Sequence, residues 1–481
     1  MVDFVGRTVE LGLLRHRLNR VSRTGTGIAL ALRGRRQVGK SRLVQEFCDR
    51  AEAPYVFFTA VKGASTVELL QEFLGALRDS ALPNAAELLP EQAPRGWPDM
   101  FRVMASVLPD RPSVVVLDEL PWLAEQDDTF DGALQAAWDR LLRDRPILLL
   151  LLGSDVHMME RLTSYDRPFY GRADNLVLGP LNPAETGQAL GLDAVDALDA
   201  HLLCGGLPGI LTRWPYGTPA LEFAESECDD PAAPMFSVAE STLMAEFPTP
   251  DRTRAILEAV GGGDRTYTNI ASTAGGNSEV LPSGVLSPLL RRLVEDKQVL
   301  AVDHPLSTKP GKPALYRVAD SNLRCYLAML RTAHELVRRG RKEAAVRLIR
   351  RRWDSWRGRA VEPLVREALA LAALAGDLPW EDVEAVGGWW NRKFDPEVDV
   401  VGGDHAPVAR HIRFTGSIKW LESAFDHHDL SRLDRSLAQV PGVDPDRTGR
   451  VVVSRSGLAP GLGLGSDDLV WGPEDVVAAW R

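Results

Sequence analysis

Residues 34–41 read GRRQVGKS, a complete G-x-x-x-x-G-K-S phosphate loop, and such a loop tolerates few local folds. The run before it, residues 28–32 (IALAL), is apolar and predicts a strand. The run after it, residues 42–50, has helical spacing, with Leu43, Val44 and Phe47 on one face. Gly34 and Gly39 let the backbone curl so that its N–H groups face phosphate oxygens, and the helix start adds partial positive charge. The phosphate-binding candidates are therefore Gly34, Arg35, Arg36, Gln37, Val38, Gly39, Lys40, Ser41 and Arg42. Lys40 can reach the β- and γ-phosphates, and the Ser41 hydroxyl can ligate Mg²⁺. A chance Gly-rich turn is the bland alternative, and a full motif between strand and helix disfavours it.

Two further strands carry polar tips. Residues 114–119 (VVVLDE) end in Asp118, placed to hold Mg²⁺ through water, and Glu119, placed to polarise an attacking water. Hydrolysis of ATP needs both roles. Residues 120–128 read as a loop. Residues 146–153 (PILLLLLG) end at Ser154 and Asp155, which either bond the γ-phosphate or lytic water or cap a following helix. Arg172 is either a charge-stabilising arginine facing a neighbour's nucleotide or a surface residue.

The full length of 481 residues predicts about three domains. No apolar run reaches the ~18 residues of a membrane span, so no membrane role is expected. The start, MVDFVGR, lacks a signal-peptide pattern, and four scattered cysteines suggest free thiols in a reducing cytoplasm. A net charge of -10 argues against generalised polyanion binding but allows a local basic face.

FVGR at 4–7, GRRQVGKS, VVVLDELPWL at 114–123, LLGSDVHMM at 151–159, FYGRADNLVLGPL at 169–181 and CGGLPGIL at 204–211 together resemble the prokaryotic AAA-related ATPases of the archaeal type, close to the signal-transducing ATPases with numerous domains. The resemblance implies ATP and Mg²⁺ as cofactors. It makes Asp118 and Glu119 the Walker B pair and Ser154 the sensor position. It also places Pro208, in a GG-x-P turn with Gly206, near the nucleotide.

Residues 226–236 (SECDDPAAPMF) read as an acidic linker or lid loop. Helices at 253–260, from 268 and at 283–294, followed by strands at 299–302 and 314–318, predict a winged helix. Its third helix carries Arg291, Arg292 and Lys297 and serves either DNA reading or structural coupling. Residues 331–359 hold eleven Arg or Lys against three Asp or Glu. They form either a solvated helical connector or a contact to DNA phosphates.

In the last third, a helix from 358 carries Glu362, residues 387–391 (GGWWN) read as a turn, a strand at 398–402 carries Asp399, and residues 411–420 (HIRFTGSIKW) carry Lys419. Helix glutamate, strand aspartate and later lysine form the pattern of a metal-dependent nuclease, or of a plain salt-bridge network. The region resembles the DUF234 domain of the PD-(D/E)xK fold group through Trp389–Trp390, Glu397-x-Asp399 and Ser417-Ile418-Lys419-Trp420. Ser417 stands where that family has a carboxylate, so either Glu397 or Glu422 compensates or cleavage is lost.

The expectation is an α/β chain: a P-loop NTPase core at 1–180, a helical lid at 181–245, a winged helix at 246–325, a basic connector at 326–357 and a restriction-endonuclease-like α/β domain at 358–481. Its expected activity is Mg²⁺-dependent ATP hydrolysis that controls the C-terminal domains near DNA. The alternatives are an ATP-regulated endonuclease and a nucleotide-gated regulator that binds DNA or another protein. Self-association remains open.

Overall fold

The computed structural model describes all residues except 1–3, 84, 155–158, 160–168, 248–250, 277–279, 312 and 466–467, with the backbone alone at 86 and 246. Asp155 therefore lies outside the described residues. The chain divides into two compact units, Met1–Leu181 and Asn182–Arg481.

The first unit is built on five parallel strands in the order β2-β3-β4-β1-β5. They are β1 (Ile28–Arg33), β2 (Tyr55–Thr59), β3 (Ser113–Asp118), β4 (Ile147–Gly153) and β5 (Ala173–Val177). Every residue of β3 and β4 is buried, as the unbroken Val and Leu runs demand of central strands covered on both faces. β5 lies at the edge and is partly open. One face packs Ala29, Phe58, Val115 and Leu149 against helices that contribute Phe73, Trp97, Phe101 and Phe130. Because all five strands run the same way, the residues after β1, β3 and β4 gather at one edge of the sheet.

The loop expected at 120–128 is instead mainly a helix, Leu120–Gln126. Pro121 does not break this helix. It sits in the first turn, where a missing N–H costs no helical hydrogen bond.

The second unit opens with five helices, Pro183–Leu190, Ala194–Cys204, Pro208–Leu211, Ala220–Glu227 and Pro234–Glu246. Leu198 and Leu202 of the second of these share one hydrophobic core with Val361, Val365, Val453 and Val476 from the far end of the chain. Three helices follow, Arg252–Gly262, Tyr267–Gly275 and Ser283–Arg291, then the antiparallel pair β6 (Leu300–Asp303) and β7 (Leu315–Val318). The third helix ends earlier than the spacing predicted and continues as a wider π turn, Arg292–Asp296.

A second sheet runs β12-β11-β10-β9-β8. It comprises β8 (Ala385–Trp390), β9 (Glu397–Gly403), β10 (Ile412–Lys419), β11 (Gly449–Ser454) and β12 (Asp468–Trp471). β8, β9 and β10 pair antiparallel, whereas β10, β11 and β12 pair parallel. The turn expected at 387–391 is largely strand β8. Its paired glycines mark a register shift and a close approach: a Cβ on Gly388 would stand 2.8 Å from the Arg366 guanidinium.

The basic segment forms the helices Arg331–Arg338 and Lys342–Ala360. Much of its charge is answered within the unit. Arg331 pairs with Glu258 at 2.9 Å and Arg338 with Glu240 at 2.6 Å, while Lys342 pairs with Asp229 and Arg350 with Glu225. One of these partners, Asp229, comes from the stretch 226–236 read as a linker. Arg357 is buried against Asp199 at 2.8 Å. Arg339, Arg341, Arg347 and Arg351 remain exposed and make no ion pair among the described residues.

Candidate nucleotide site and the C-terminal carboxylates

The phosphate loop follows β1 and delivers its last residues into the helix Lys40–Arg50. Gln37 (φ 65°) and Gly39 (φ 91°) take left-handed backbone, which closes the loop on itself. Gly34 admits no side chain, because a Cβ would lie 2.4 Å from the Leu178 carbonyl oxygen. Lys40 is buried, and its Nζ donates to the carbonyls of Gly34 at 2.8 Å and Arg35 at 3.0 Å. Burial lowers its pKa, and the nearby Glu119 and Asp118 charges oppose that shift.

Ser41 Oγ donates to Asp118 Oδ2 at 2.7 Å, so the hydroxyl and carboxylate proposed for Mg²⁺ already meet. The second Asp118 oxygen accepts the Glu119 N–H at 2.9 Å. Burial raises the Asp118 pKa against both bonds. Two hard oxygens beside a buried ammonium suit a hydrated Mg²⁺ on a polyphosphate. Glu119 adopts left-handed backbone (φ 55°), which turns its carboxylate towards the tip of β4. There Ser154 Oγ donates to both carboxylate oxygens, at 2.9 and 3.1 Å. β4 lies between β1 and β3 in the sheet, so these three tips are neighbours by topology.

Two residues at this edge carry roles that the sequence reading did not assign. Arg7, the last residue of FVGR, is buried, and its Nη2 donates to the carbonyls of Val38 at 3.0 Å and Gly179 at 2.7 Å. It braces the phosphate loop from behind. The motif was visible, but only the fold brings residues 7, 38 and 179 together. Trp122 presents its ring to Lys62 at 4.4 Å and to Arg36 at 6.0 Å.

Arg172 is engaged within its own chain. Its guanidinium grips Asp139 through Nε at 2.9 Å and Nη2 at 2.8 Å, and this pair pulls the Asp139 pKa down. The bidentate grip occupies two of the guanidinium's donor groups. Pro208 begins a short helix in the second unit. Arg42 follows the loop and pairs with Glu46 at 2.9 Å.

The carboxylates of the C-terminal sheet converge only in part. Asp399 Oδ2 accepts from Ser417 Oγ and from the Ile418 N–H, both at 2.9 Å. Arg366 links Asp399 to Glu362, donating to the Asp399 carbonyl at 2.7 Å and to the Glu362 carboxylate at 3.1 Å. Glu362 keeps 20% of its side chain open yet lies deep among protein atoms, at a pocket wall, so its carboxyl pKa is raised, first by burial and then by the Asp399 charge. Lys419 is drawn away to Asp429, and Glu397 is exposed at the start of β9. Among the described residues no group of three or more His, Cys, Asp or Glu side chains can share a metal ion. Nor is any described helix long and apolar enough to cross a membrane.

Residues 3–152 match the family described as AAA ATPase domain. Residues 326–429 match DUF234, described as archaeal and bacterial proteins of unknown function. The chain carries an AAA ATPase domain followed by a DUF234 domain. No curated protein matches it. Among solved structures it is similar to the Walker-type ATPase PABY2304 of Pyrococcus abyssi, at 19% identity over 68% of this chain and 96% of that one (TM-score 0.48). It is also similar to the ORC2 protein of Aeropyrum pernix in its ADPNP–ADP complexes, at 14% identity over 72% and 96% (TM-score 0.43). The ORC1 protein of Aeropyrum pernix in complex with DNA is 14% identical over 73% and 95% (TM-score 0.35).

Proposed function

We propose that the protein hydrolyses ATP with Mg²⁺ and that its nucleotide state governs the second unit. The observation that carries this reading is the paired contact at the sheet edge: Ser41 to Asp118 at 2.7 Å, and Ser154 to Glu119 at 2.9 Å. Lys40 and the loop N–H groups hold the phosphates. Ser41 and Asp118 hold Mg²⁺, which when bound offsets phosphate charge. Glu119 orients and polarises the attacking water, and Ser154 fixes the direction of its carboxylate. Lys40→Ala should abolish nucleotide binding. Glu119→Gln should bind ATP normally and lose turnover. Equal hydrolysis by Glu119→Gln and wild type would sink the role given to Glu119.

For the second unit we favour a winged helix joined to a PD-(D/E)xK-like domain that holds DNA or a protein and cuts poorly or not at all. Ser417 supports this reading, since a neutral hydroxyl bonds Asp399 where a carboxylate would complete a metal site. Lys419 supports it as well, being paired with Asp429. Plasmid cleavage in Mn²⁺ tests it. Wild type should be inert, and robust cutting that disappears in Lys419→Ala would establish the endonuclease alternative.

A further inference from the structure

The second unit contains a cavity of about 430 Å³ lined by six arginines: Arg265, Arg317, Arg324, Arg352, Arg359 and Arg366. They arrive from separate stretches: the turn after Arg252–Gly262, β7, and the helices Ser321–Cys325, Lys342–Ala360 and Glu362–Ala375. Only two carboxylates, Asp303 and Glu362, face the same space. Asp303 takes Arg317 at 3.1 Å and Glu362 takes Arg366 at 3.1 Å. Arg324 donates to the carbonyls of Ala360 at 3.1 Å and Arg359 at 2.9 Å, and Arg352 donates to the Ala328 carbonyl at 3.0 Å. Carbonyls satisfy hydrogen bonds but leave the charge standing. Arg265 and Arg359 make no side-chain ion pair among the described residues.

Collecting like charges around one hollow costs free energy that packing alone does not return. Burial pushes the Arg324 pKa down to about 10; the Arg317 and Arg265 charges add to the shift, and Glu362 and Asp303 oppose it. An anionic occupant would offset the collected charge, and planar guanidinium forks match phosphate oxygens in pairs. Tyr316 and Trp356, the latter also resting against Trp353 at 5.5 Å, line the same cavity and are half-buried, an aromatic wall of the kind that suits a flat ring. Arg317, Arg324 and Arg366 also border a second hollow of about 620 Å³, which gives a longer ligand room to extend.

We propose that this cavity binds a nucleotide phosphate, with the arginines holding the phosphate and Tyr316 or Trp356 against the base. The ligand is either a free nucleotide or the phosphorylated end of a strand, since both present the same chemistry. This site is separate from the phosphate loop, which belongs to the other unit, and it does not depend on ATP hydrolysis.

The test is calorimetry on the full chain carrying Lys40→Ala, so that the phosphate loop does not compete. The probes are AMP and a short single-stranded oligonucleotide with and without a 5′-phosphate. Adding Arg265→Gln and Arg359→Gln should weaken binding at least tenfold, and affinity of the parent should fall as salt rises. AMP binding as tightly as the phosphorylated oligonucleotide assigns a free nucleotide. Binding confined to the phosphorylated oligonucleotide assigns a strand end. If the double variant melts early, Arg359→Gln alone, on an exposed side chain, carries the comparison with an expected loss of at least threefold. Failure of every probe to bind the parent, or equal affinity in parent and folded variant, overturns the proposal.

Discussion

Ser154 Oγ donates to both oxygens of the Glu119 carboxylate, joining the tip of β4 to the residue that follows β3. Glu119 reaches this position from left-handed backbone, a conformation that costs a non-glycine residue about 1 kcal/mol or more. The hydrogen bond therefore holds a carboxylate whose aim is set by main-chain geometry as well.

On the proposed reading Ser154 acts through Glu119, as a positioning residue. Ser154→Ala should lower kcat about tenfold or more while leaving ATP affinity within about twofold, because it disorders the carboxylate without touching the phosphates. Ser154→Thr, which keeps the hydroxyl, should restore much of the rate. Steady-state kinetics with nucleotide titrations checks this. A fall in affinity equal to the fall in kcat would mean that Ser154 serves binding instead.

Asp118 predicts a pH effect on stability. Its folded pKa lies above the ordinary carboxylate value because of burial. Ionisation is thus harder in the folded than in the unfolded chain, and the Asp118 contribution to stability declines as pH rises from below the ordinary carboxylate range through the raised value. Without nucleotide or Mg²⁺, Asp118→Asn should melt at a higher temperature than wild type at pH 7, and the gap should shrink towards pH 4. Paired melting curves at the two pH values decide it. The same variant should lose Mg²⁺-dependent turnover.

The Arg172–Asp139 pair is part of the fold of the first unit. Its groups are 27% and 33% exposed, so Arg172→Ala should cost only about 0.5–1 kcal/mol of stability. ATP turnover should stay within about twofold. Mixing Glu119→Gln with Arg172→Ala should then give no more activity than the sum of the separate proteins. Strong complementation in a mixed oligomer would restore the arginine to a neighbour's site.

Asp199 and Arg357 are a sharper case, 5% and 3% exposed. Asp199→Ala leaves the buried Arg357 guanidinium with only the exposed Asp354 carboxylate, at 3.0 Å, and should destabilise the second unit by about 3 kcal/mol. Breaking an exposed pair such as Arg350–Glu225 should cost far less. Chemical denaturation of the two variants compares them.

The sequence by itself determined the local elements that carry chemistry. Residues 34–41 could form only a glycine-bent turn between strand and helix, and the apolar runs ending at Asp118 and Ser154 had to be central strands, because each rule acts over a few neighbouring residues. Tertiary structure decided which of these groups meet. The order β3-β4-β1 set Ser154 against Glu119, and chain closure put Arg7 behind Val38. It also turned charge runs into partners: Asp229, in the stretch 226–236 that reads as a linker, and Glu225 just before it pair with the basic helix Lys342–Ala360 only once the chain has packed. The glycines of β8 had read as a turn because their closeness to Arg366 exists only across the fold. Arg172 reads as a free cation in one dimension, and Asp139 becomes its partner only when the helical region ahead of β4 packs beside β5. Local sequence fixes backbone propensity over one or two turns. Partner choice for a charged side chain depends on contacts tens to hundreds of residues away, and no short-range pattern encodes those.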